Sequence, residues 1–596
     1  MTAAAPLIAD DALFGVARSV TGKRWTLASA DPAAAARIAA ATGVEDVVAR
    51  ILAGRGVRAA EAAAFLEPRL RDALPDPCVM RDMEAAADRI ARAVASGETI
   101  AVFGDYDVDG VSASALLHRW LSAVGAPPRV HLPDRMTEGY GPSVATFRRL
   151  AEEGASLIIT VDCGASAFAP IEAANAASAD VVVLDHHQMG AERPPAAALV
   201  NPNQPGCGAG LGDLSAAGVA FMAAVATTRA LRAVGFFANR DEPDLLSLLD
   251  LAALGLVCDV MPMTGLARTL VAQGLKVMAA RRSPGVAALV DAGAGDRAPT
   301  AHDVGFGLGP RINAAGRIAH PKLAFDLLIA EDPAAAARAL ARLDALNTER
   351  RALEAAATDA ATGQIEARGE RSVAFASAEG WHPGVVGIVA GRLRERFARP
   401  ALAVSILDGV GRGSGRSVPG VDLGAAVRAA AEAGLLEAGG GHAQAAGFTV
   451  APERIDAFAA FMEREVERQT PGGPPVEQLS IDATARLGAV NAGTAEAIAP
   501  IGPFGPGNQE PVFAFETVRL ERLDVRGGRH LALRLAGANG DASARAVAFR
   551  AVGEPLGDFL EARVERPIHV AGVVRADTWR GGSAGEIHLV DAAPAH

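Results

Sequence analysis

Three aspartates stand at alternate positions directly after a short apolar run, in the segment AVFGDYDVDGVSASALL. They are Asp105, Asp107 and Asp109, and Gly110 and a helical pattern follow them. Carboxylates this close repel one another unless a cation lies among them, and hard divalent ions such as Mg²⁺ and Mn²⁺ prefer oxygen ligands. The spacing therefore indicates a divalent-metal site. Taken alone, the segment is equally compatible with a calcium-type loop or a solvated acidic turn.

Further aspartates and two histidines follow later apolar runs. Asp162 lies in LIITVDCGAS, Asp185, His186 and His187 in VVVLDHHQMG, and Asp259 in LAALGLVCDVMP. A single strand-end aspartate usually caps a helix, whereas six or seven oxygen and nitrogen donors at successive strand ends favour a two-metal site suited to Mn²⁺. Two neighbouring cations can activate a water and stabilise charge on the attacking and leaving oxygens of a phosphoester. We therefore expect a hydrolase that needs no Ser or Cys nucleophile.

The elements that must position these residues alternate between strands and helices from about residue 98 to 260. The strand-like runs are TIAVFGDYD, RVHLPDR, LIITVDCG and DVVVLDHH, and Ala-rich helical stretches separate them. This alternation predicts an α/β domain with a parallel sheet covered by helices. Ligands of such open sheets bind beyond the carboxyl ends of the strands, so we expect the acidic strand ends to converge.

The rest of the chain divides into further segments. Residues 333–369 lack helix breakers and predict a long connecting helix, and a smaller α/β domain follows over about 371–465. The Pro/Gly-rich QTPGGPPVEQ suggests a linker, and the last part has three strand-like runs, a short helix and two more strands. That order is typical of an OB-fold, the alternative being a generic small β-domain. Aromatic residues for stacking bases are few there, chiefly Trp579 and some Phe.

The composition sets the broad class of the protein. With 596 residues, half of them hydrophobic and 21% charged, we expect several globular domains. The net charge of -12 argues against a wholly basic nucleic-acid-coating protein, although 371–450 carries eight Arg against six Asp or Glu. Four scattered cysteines indicate neither disulfides nor a zinc site, and we find no signal peptide and no membrane span. The expected location is the cytoplasm.

The segments DYDVDG, VDCG, LDHH and VCDV together resemble motifs I to IV of the DHH phosphoesterase superfamily. The resemblance implies that Asp107 and Asp162 hold one metal, with Asp105 nearby. It implies that Asp162 bridges to a second metal, whose other ligands are Asp109, His186 and Asp259. It also implies that His187 faces the scissile phosphate, so that the catalytic set is Asp162, His187 and Asp109, with two Mn²⁺ or Mg²⁺ ions as cofactors.

A second set of motifs resembles the DHHA1 domain that accompanies many DHH proteins: ASAEGWHPGVVGIVAGRL, GRGSGRSVPGVDLG and AGGGHAQAAGFT. Its glycine-rich GGGH loop (Gly439 to His442) would let backbone amides and an imidazole approach phosphate. The wider resemblance of the chain to members of the superfamily that degrade single strands implies a pocket for a 5′-phosphate. The expected substrate-binding residues are Arg135, Ser414, Arg416, Gly440, Gly441 and His442, with Arg311 and Arg317 of GLGPRINAAGRI (307–318) as candidates that could equally tie loops together.

The length, the long helix, PIGPFGPGNQEPVF (500–513) and the terminal β-domain resemble the branch of this superfamily that degrades single-stranded DNA. The resemblance implies a 5′→3′ exonuclease of recombination and repair that releases 5′-mononucleotides. It further implies a monomer that works with a single-strand-binding protein and a helicase. The alternatives are a small DHH phosphoesterase for oligonucleotides or nucleotide bisphosphates, and an inactive scaffold that binds single strands.

The expected domain order follows from these motifs. It is an N-terminal extension (1–80), a DHH domain (81–332), the long helix (333–370), a DHHA1 domain (371–465), a linker (466–511) and an OB-like domain (512–596).

Overall fold

The computed structural model describes residues 12–139, 141–472, 476–537, 540, 542–577 and 584–595. They form two compact units. The first unit comprises Ala64–Thr348 and Pro500–Glu510, and the second comprises the described residues of 12–63, 349–499 and 511–595. Among the described residues, no helix is both long and apolar enough to cross a membrane.

The strands are numbered in chain order. They are β1 (Arg24–Leu27), β2 (Ile100–Gly104), β3 (Arg129–His131), β4 (Leu157–Val161), β5 (Asp180–Leu184), β6 (Ala198–Val200), β7 (Ala374–Glu379), β8 (Ala401–Leu407), β9 (Val410–Arg416), β10 (Ala438–His442), β11 (Ala445–Val450), β12 (Gln478–Ile481), β13 (Ala483–Thr484), β14 (Phe513–Arg526), β15 (His530–Gly537), β16 (Ser543–Ala548), β17 (Pro567–Ala576) and β18 (Gly585–Pro594).

The helices are numbered in the same way. They are α1 (Pro32–Thr42), α2 (Asp46–Gly54), α3 (Ala59–Leu66), α4 (Leu70–Ala73), α5 (Met83–Ser96), α6 (Val108–Ala123), α7 (Val144–Glu152), α8 (Phe168–Ala176), α9 (Ala216–Ala233), α10 (Leu249–Cys258), α11 (Gly265–Ala279), α12 (Pro284–Ala294), α13 (Ala301–Asp303), α14 (Gly309–Ile318), α15 (Lys322–Leu328), α16 (Pro333–Arg368), α17 (Val386–Phe397), α18 (Leu423–Glu432), α19 (Ile455–Gln469), α20 (Ala492–Ile498) and α21 (Pro555–Glu561).

The first unit is built on a parallel five-stranded sheet with the order β3-β2-β4-β5-β6. Its central strands are mostly apolar and almost entirely buried, because helices cover both faces. Val102 of β2 belongs to the core that α5, α6, α9 and α10 complete, whereas Phe103 packs on the opposite face with Phe147 of α7 and Ile171 of α8. The predicted parallel α/β domain is confirmed.

The strand order places the acidic strand ends side by side. From β2 the chain runs to β3 on one side and then returns to β4 on the other, so the topology reverses between β2 and β4. Asp105 follows β2, Asp162 follows β4, and Asp185 follows β5, which is the next neighbour in the sheet. Open α/β sheets bind ligands at such a reversal point.

Helix α16 is the predicted long helix, and it runs from Pro333 to Arg368. Its first half, with Leu343 and Leu346, packs into the core of the first unit. Its second half, with Ala361 and Ile365, packs against the strands of the second unit that it enters. The helix thus contributes to the cores of both units.

The second unit contains a five-stranded sheet with the order β10-β11-β9-β8-β7, in which only β7 and β8 are parallel. This confirms the smaller α/β domain. The GGGH segment differs from its expected form, since Ala438–His442 is the edge strand β10 and not a loop. Glycine is required there for close packing, because a Cβ on Gly441 would lie 2.4 Å from the carbonyl oxygen of Ala445.

The terminal strands confirm the OB-fold over the generic β-domain. Strands β14, β15 and β16 form an antiparallel meander, α21 follows, and β17 and β18 close the barrel by pairing β14 with β17 and β16 with β18. Trp579 lies outside the described residues.

The stretch 466–511 was expected to be a linker, but it contains the end of α19, β12, β13 and α20. Strand β1 pairs in parallel with β12, and the buried Trp25 donates a 2.8 Å hydrogen bond to Asp591 of the barrel. The stretch is ordered because it packs between the N-terminal residues and the barrel in one apolar core.

Candidate metal centre

The loop after β2 carries the first three carboxylates. Asp107 caps α6, since its Oδ1 accepts hydrogen bonds from the backbone amides of Asp109 (2.9 Å) and Gly110 (3.1 Å). Asp109 in the first helical turn is therefore directed into the interior, where it is buried. Gly110 has to be glycine, because a Cβ there would lie 2.6 Å from the backbone nitrogen of Asp105.

Asp109 is held by the start of helix α9. Its Oδ1 accepts from the Ser215 hydroxyl (2.7 Å) and the Ala217 amide (3.1 Å), and its Oδ2 accepts from the Ala216 amide (2.6 Å). The positive end of the helix dipole favours the charged carboxylate. Helix α10 leaves room for it, because a Cβ on Gly255 would lie 2.2 Å from Oδ1.

Asp162 follows β4 in a left-handed backbone conformation with φ of 63°. Such a conformation is uncommon for a residue other than glycine and is frequent at functional sites. The next left-handed residue, Gly164, must lack a side chain, because a Cβ there would lie 2.5 Å from Thr160 Oγ1. The Asp162 side chain is almost fully buried.

The three residues of the DHH segment after β5 have different surroundings. Asp185 accepts from the amides of His186 (2.7 Å) and His187 (3.1 Å) and from the amide of Ala165 (3.0 Å). Its Oδ1 also lies 2.8 Å from Nδ1 of His187. Asp185 thus supports its neighbours, while the His186 ring points toward the other carboxylates.

Asp259 reaches the site from a helix and not from a strand, which corrects the sequence-based grouping of all the ligands at strand ends. It is the C-terminal capping residue of α10, whose apolar run is helical because it packs in the core with α6 and α9. Apolar runs of this length do not distinguish a buried helix from a buried strand.

The structure brings all six expected metal ligands together in two adjacent sets of three. Donor atoms of Asp105, Asp107 and Asp162 lie within 4.8 Å of one another, and so do those of Asp109, His186 and Asp259. His186 Nε2 connects the sets, at 3.2 Å from Asp162 Oδ1, 3.4 Å from Asp259 Oδ2 and 3.9 Å from Asp109 Oδ2. His187 belongs to a third set with His186 and Asp162.

The electrostatics of this cluster require positive charge. Burial, with the charge of Asp107, raises the pKa of Asp109 to about 7 and that of Asp105 well above its ordinary value. Burial and neighbouring carboxylates likewise raise the pKa of Asp162 and bring that of Asp259 to about 8. Four aspartates that resist ionisation this strongly are typical of a site completed by cations.

The donor set also fits hard divalent ions. The ligands are five carboxylates and one imidazole, and the buried Oδ1 of Asp105 has no hydrogen-bond partner among the described residues. Burial and the nearby His187 lower the pKa of His186 to about 4, so its ring is neutral and can offer a lone pair. Mn²⁺ and Mg²⁺ both match such oxygen-rich sites, and the imidazole favours Mn²⁺.

His187 is the exposed member of the cluster, with 46% of its side chain accessible. Partial burial opposes its charge, but the hydrogen bond to Asp185 and the surrounding carboxylates raise the pKa of His187 to about 9. The pKa of Asp185 is lowered to about 2, because the bond from His187 and the backbone amides outweigh the effect of burial. A cationic imidazole therefore faces outward beside the metal ligands at neutral pH.

The predicted arginines of the first unit lie in different settings. The guanidinium carbon of Arg135 lies 5.1 Å from the ring centroid of Tyr106. Tyr106 stands between Asp105 and Asp107 in the sequence. Arg311 contacts Asp344 (2.6 Å) and the carbonyl of Gly307 (2.6 Å), so its guanidinium ties α14 to α16. Arg317 lies on the same helix as Arg311, and although burial raises the pKa of Tyr106 to about 12, Arg317 is close enough to oppose that rise.

The predicted phosphate residues of the second unit are adjacent. Ser414 and Arg416 are on one face of β9, with Arg416 Nη1 3.1 Å from Ser414 Oγ. A Cβ on Gly387 would lie 3.2 Å from Ser414 Oγ and 3.3 Å from Arg416 Nη2, so the first turn of α17 adjoins them. His442 is exposed on β10, beside Gly440 and Gly441. An arginine, a hydroxyl and a helix N-terminus together suit an anion.

Sequence reasoning missed the residues that hold the ligands in place. Ser215 has no sequence signature for this role, because its partner Asp109 becomes a neighbour only in the fold. Asp185 was recognised in the LDHH segment, but its part in holding His187 was not predicted. Asn201 and Asn203, which donate to the carbonyls of His187 (2.8 Å) and His186 (2.6 Å), stand in NPNQ and could have been suspected as a turn. Gly316 was also missed, and a Cβ there would lie 2.2 Å from the carbonyl oxygen of Tyr106.

Comparison with known proteins finds relatives along nearly the whole chain. The chain is 32% identical over 576 residues to the single-stranded-DNA-specific exonuclease RecJ of Bacillus subtilis, covering 96% of this chain and 71% of that protein. It is 37% identical over 495 residues to RecJ of Dickeya dadantii, covering 81% and 85%. The crystal structure of RecJ from Thermus thermophilus in complex with Mn²⁺ matches with a TM-score of 0.80 and 30% identity, covering 96% of this chain and 79% of that one.

Three family matches divide the chain. Residues 99–256 match the DHH family, N-terminal domain, residues 370–468 match the DHHA1 domain, and residues 481–591 match the RecJ OB domain. The last match begins before β14 and includes β13 and α20, in agreement with the ordered structure of that stretch. From these matches and from the geometry of its acidic cluster, the chain belongs to the RecJ family of the DHH phosphoesterases.

Proposed function

We propose that this protein is a metal-dependent exonuclease that degrades single-stranded DNA from its 5′ end and releases 5′-mononucleotides. The observation that carries the proposal is the meeting of six ligand side chains in two adjacent sets, each of which would hold one ion. The relatives named single-stranded-DNA-specific exonucleases supply the substrate class. Recombination and repair of DNA is the role that this activity serves.

Each residue of the cluster has a distinct part in this proposal. Asp105, Asp107 and Asp162 would hold one Mn²⁺ or Mg²⁺, and Asp109, His186 and Asp259 the other, with Asp162 shared. Two such ions, when bound, activate water and stabilise charge on the phosphate. Asp185 positions His187 so that an N–H group of its ring could donate a hydrogen bond to a non-bridging oxygen or to the leaving oxygen. The hydrogen bond to Asp185 favours the protonated form of this ring.

We further propose that the 5′-phosphate of the strand binds Ser414 and Arg416. The planar guanidinium can contact two phosphate oxygens at once, and the adjoining start of α17 adds backbone amides and a favourable dipole. Arg135 is proposed to meet the strand beside Tyr106. Gly440, Gly441 and His442 are proposed to approach phosphate from β10, and Arg311 and Arg317 of α14 are further candidates for contacts with the strand.

Partners, location and assembly belong to the same proposal. A single-strand-binding protein and a helicase would supply the exposed strand, the protein would act as a monomer, and the cytoplasm is its proposed location.

The deciding experiment is digestion of end-labelled single-stranded DNA in Mn²⁺ or Mg²⁺, with and without a duplex block at the 5′ end. Mononucleotide release from a free 5′ single-stranded end alone would support the proposal. Activity confined to oligonucleotides of a few residues or to nucleotide bisphosphates would instead identify a small DHH phosphoesterase. DNA binding without cleavage in either metal would favour the scaffold.

A further inference from the structure

The loop Asp259–Thr264, which begins with a metal-ligand candidate, has an unusual start. Helix α10 ends with Met261 N donating to Leu256 O (3.1 Å), and Val260 lies in the left-handed region with φ of 60°. Glycine normally takes this position at a helix end, because a β-branched side chain is strained there. The Val260 side chain is 65% exposed, so its own packing cannot hold the loop.

The loop is supported by a turn that is distant in the sequence. Met263 N donates a 2.6 Å hydrogen bond to the carbonyl oxygen of Pro506, and the Met263 side chain is 2% exposed. The two segments touch so closely that a Cβ on Gly505 would lie 2.7 Å from Met263 Cγ, and one on Gly507 would lie 3.0 Å from Thr264 Cγ2. Residues 500–508, hereafter the 500–508 turn, thus pack on the chain that leaves Asp259.

The 500–508 turn is closed by its own hydrogen bonds. Gly505 and Asn508 exchange backbone hydrogen bonds of 3.0 and 3.1 Å. The buried Asn508 side chain donates from Nδ2 to the carbonyl oxygens of Ile501 and Pro503, both at 2.9 Å. The turn therefore presents a fixed surface to Met263.

The turn is also fastened to the helix that follows the loop. Arg268 of α11 is nearly buried and donates to the carbonyl oxygens of Ile501 (3.0 Å), Gly502 and Phe65 (2.7 Å). Its guanidinium also stacks on the Phe65 ring at 3.9 Å. Helix α11 begins at Gly265, directly after the loop. The turn therefore contacts the loop at Met263 and the first turn of α11 at Arg268.

We propose that the 500–508 turn positions Asp259 and thereby sets the affinity of one metal site. The inference deepens the proposed function and rests on it, since it takes Asp259 as a ligand. Asn508, Gly505 and Arg268 are positioning residues that act through the loop. If the turn only stabilised the fold, substitutions in it would change the metal affinity of both ligand sets equally. This proposal predicts that they weaken metal binding only at the set of Asp109, His186 and Asp259.

The test is a titration of the metal-free full chain with Mn²⁺ by isothermal calorimetry, in the unchanged protein and in Gly505→Ala and Asn508→Ala. We expect one of the two sites to bind Mn²⁺ at least about tenfold more weakly, as for other residues that orient metal ligands, and the other site to keep its affinity. Gly208→Ala is the matched control, because a Cβ at Gly208 meets no atom within 4 Å.

Unchanged affinity at both sites in two folded variants would overturn the proposal, and so would equal weakening of both sites. If the variants fail to fold, hydrogen exchange on the unchanged protein tests whether the turn is coupled to the metal site. Saturating Mn²⁺ should slow exchange at Gly505 and Asn508, and unaltered exchange there would count against the coupling. An unchanged protein that binds no Mn²⁺ would refute the proposed function itself, which separates the two failures.

Discussion

His187 Nδ1 lies 2.8 Å from Asp185 Oδ1, and the same oxygen accepts the backbone amides of both His186 and His187. One carboxylate therefore holds the backbone of two consecutive histidines and the ring of the second, and the two imidazoles have different tasks. One is neutral and points to the other carboxylates, and the other is cationic and faces outward.

Asp185→Asn should lower the turnover number about 10- to 100-fold, since partners that orient functional histidines commonly contribute that much. Loss of the carboxylate charge should let the pKa of His187 fall from about 9 toward its ordinary value near 6.5. The measurement is the pH profile of cleavage with saturating Mn²⁺. An alkaline limb that stays in place would contradict the role assigned to this pair.

Asp162→Ala should abolish cleavage and weaken Mn²⁺ binding at both sites, because Asp162 lies within reach of both ligand sets. The metal-free melting temperature should be unchanged or higher, since the substitution removes a buried carboxyl group whose ionisation is opposed by burial and by the neighbouring carboxylates. Calorimetric titration and thermal melts measure the two effects. Asp241→Ala, at an exposed position, is the control, and residual turnover above about 1% of the unchanged protein would refute a shared ligand.

The metal-free protein should lose stability as the pH rises from about 6 to 8.5. Between their ordinary pKa near 3.8 and the raised values of about 7 for Asp109 and about 8 for Asp259, the folded chain binds more protons than the unfolded one. Stability must therefore fall with rising pH in this range. His187 acts in the same direction, because its stabilising charge is complete below about pH 6.5 and is lost through about pH 9.

Melts of the EDTA-treated protein measure this dependence, with roughly 2–4 °C expected for each kcal/mol lost. Mn²⁺ at pH 8.5 should reverse the loss, since it binds only the folded chain tightly. Asp259→Asn, which removes one of these titrating groups, should flatten the pH dependence. A metal-free melting temperature that rises toward pH 8.5 would contradict the raised pKa values of Asp109 and Asp259.

Gly316→Ala should weaken Mn²⁺ binding at the set of Asp105, Asp107 and Asp162 by about tenfold or more. Its Cβ would meet the carbonyl oxygen of Tyr106 at 2.2 Å and displace the loop that carries two of these ligands. Gly391→Ala is the matched control, because it is also helical and its Cβ meets no atom within 4 Å. That control should gain roughly 0.5–1 kcal/mol of stability.

Arg416→Ala should reduce the preference for 5′-phosphorylated over 5′-hydroxyl strands, since the guanidinium is proposed to contact only the terminal phosphate. The measurement is kcat/KM on the two substrates, and a loss of about 10- to 100-fold is expected on the phosphorylated one alone. Arg468→Ala removes the same charge from an exposed position in the same unit. Equal losses on both substrates would place Arg416 in general DNA binding.

The parts of the fold that sequence could predict are those with local causes. The runs that became β2, β4 and β5 were recognisable because buried parallel strands are short and apolar throughout, and the aspartates after them had to meet once the strands were neighbours. Helix α16 was equally evident from its composition. The order of strands and helix at the C-terminal end was enough to predict the OB-fold barrel.

The failures have non-local causes. The apolar residues 249–258 are compatible with either a buried strand or a buried helix, so the prediction that Asp259 follows a strand was wrong. Its role as a metal ligand stays a prediction. The GGGH segment is a strand because β11 pairs with it, which its glycines alone disfavour. Ser215 and Asn508 act on partners that only the tertiary fold brings near, so no spacing in the sequence indicated them.

The unit that contains the metal centre is discontinuous along the chain, because Pro500–Glu510 belongs to it while the residues on either side belong to the other unit. During translation, Met263 cannot form its hydrogen bond with Pro506 until another 243 residues have been synthesised. At about 5–20 residues per second, that delay is on the order of tens of seconds. The nascent chain should therefore hold Asp259 only loosely until the 500–508 turn has been synthesised.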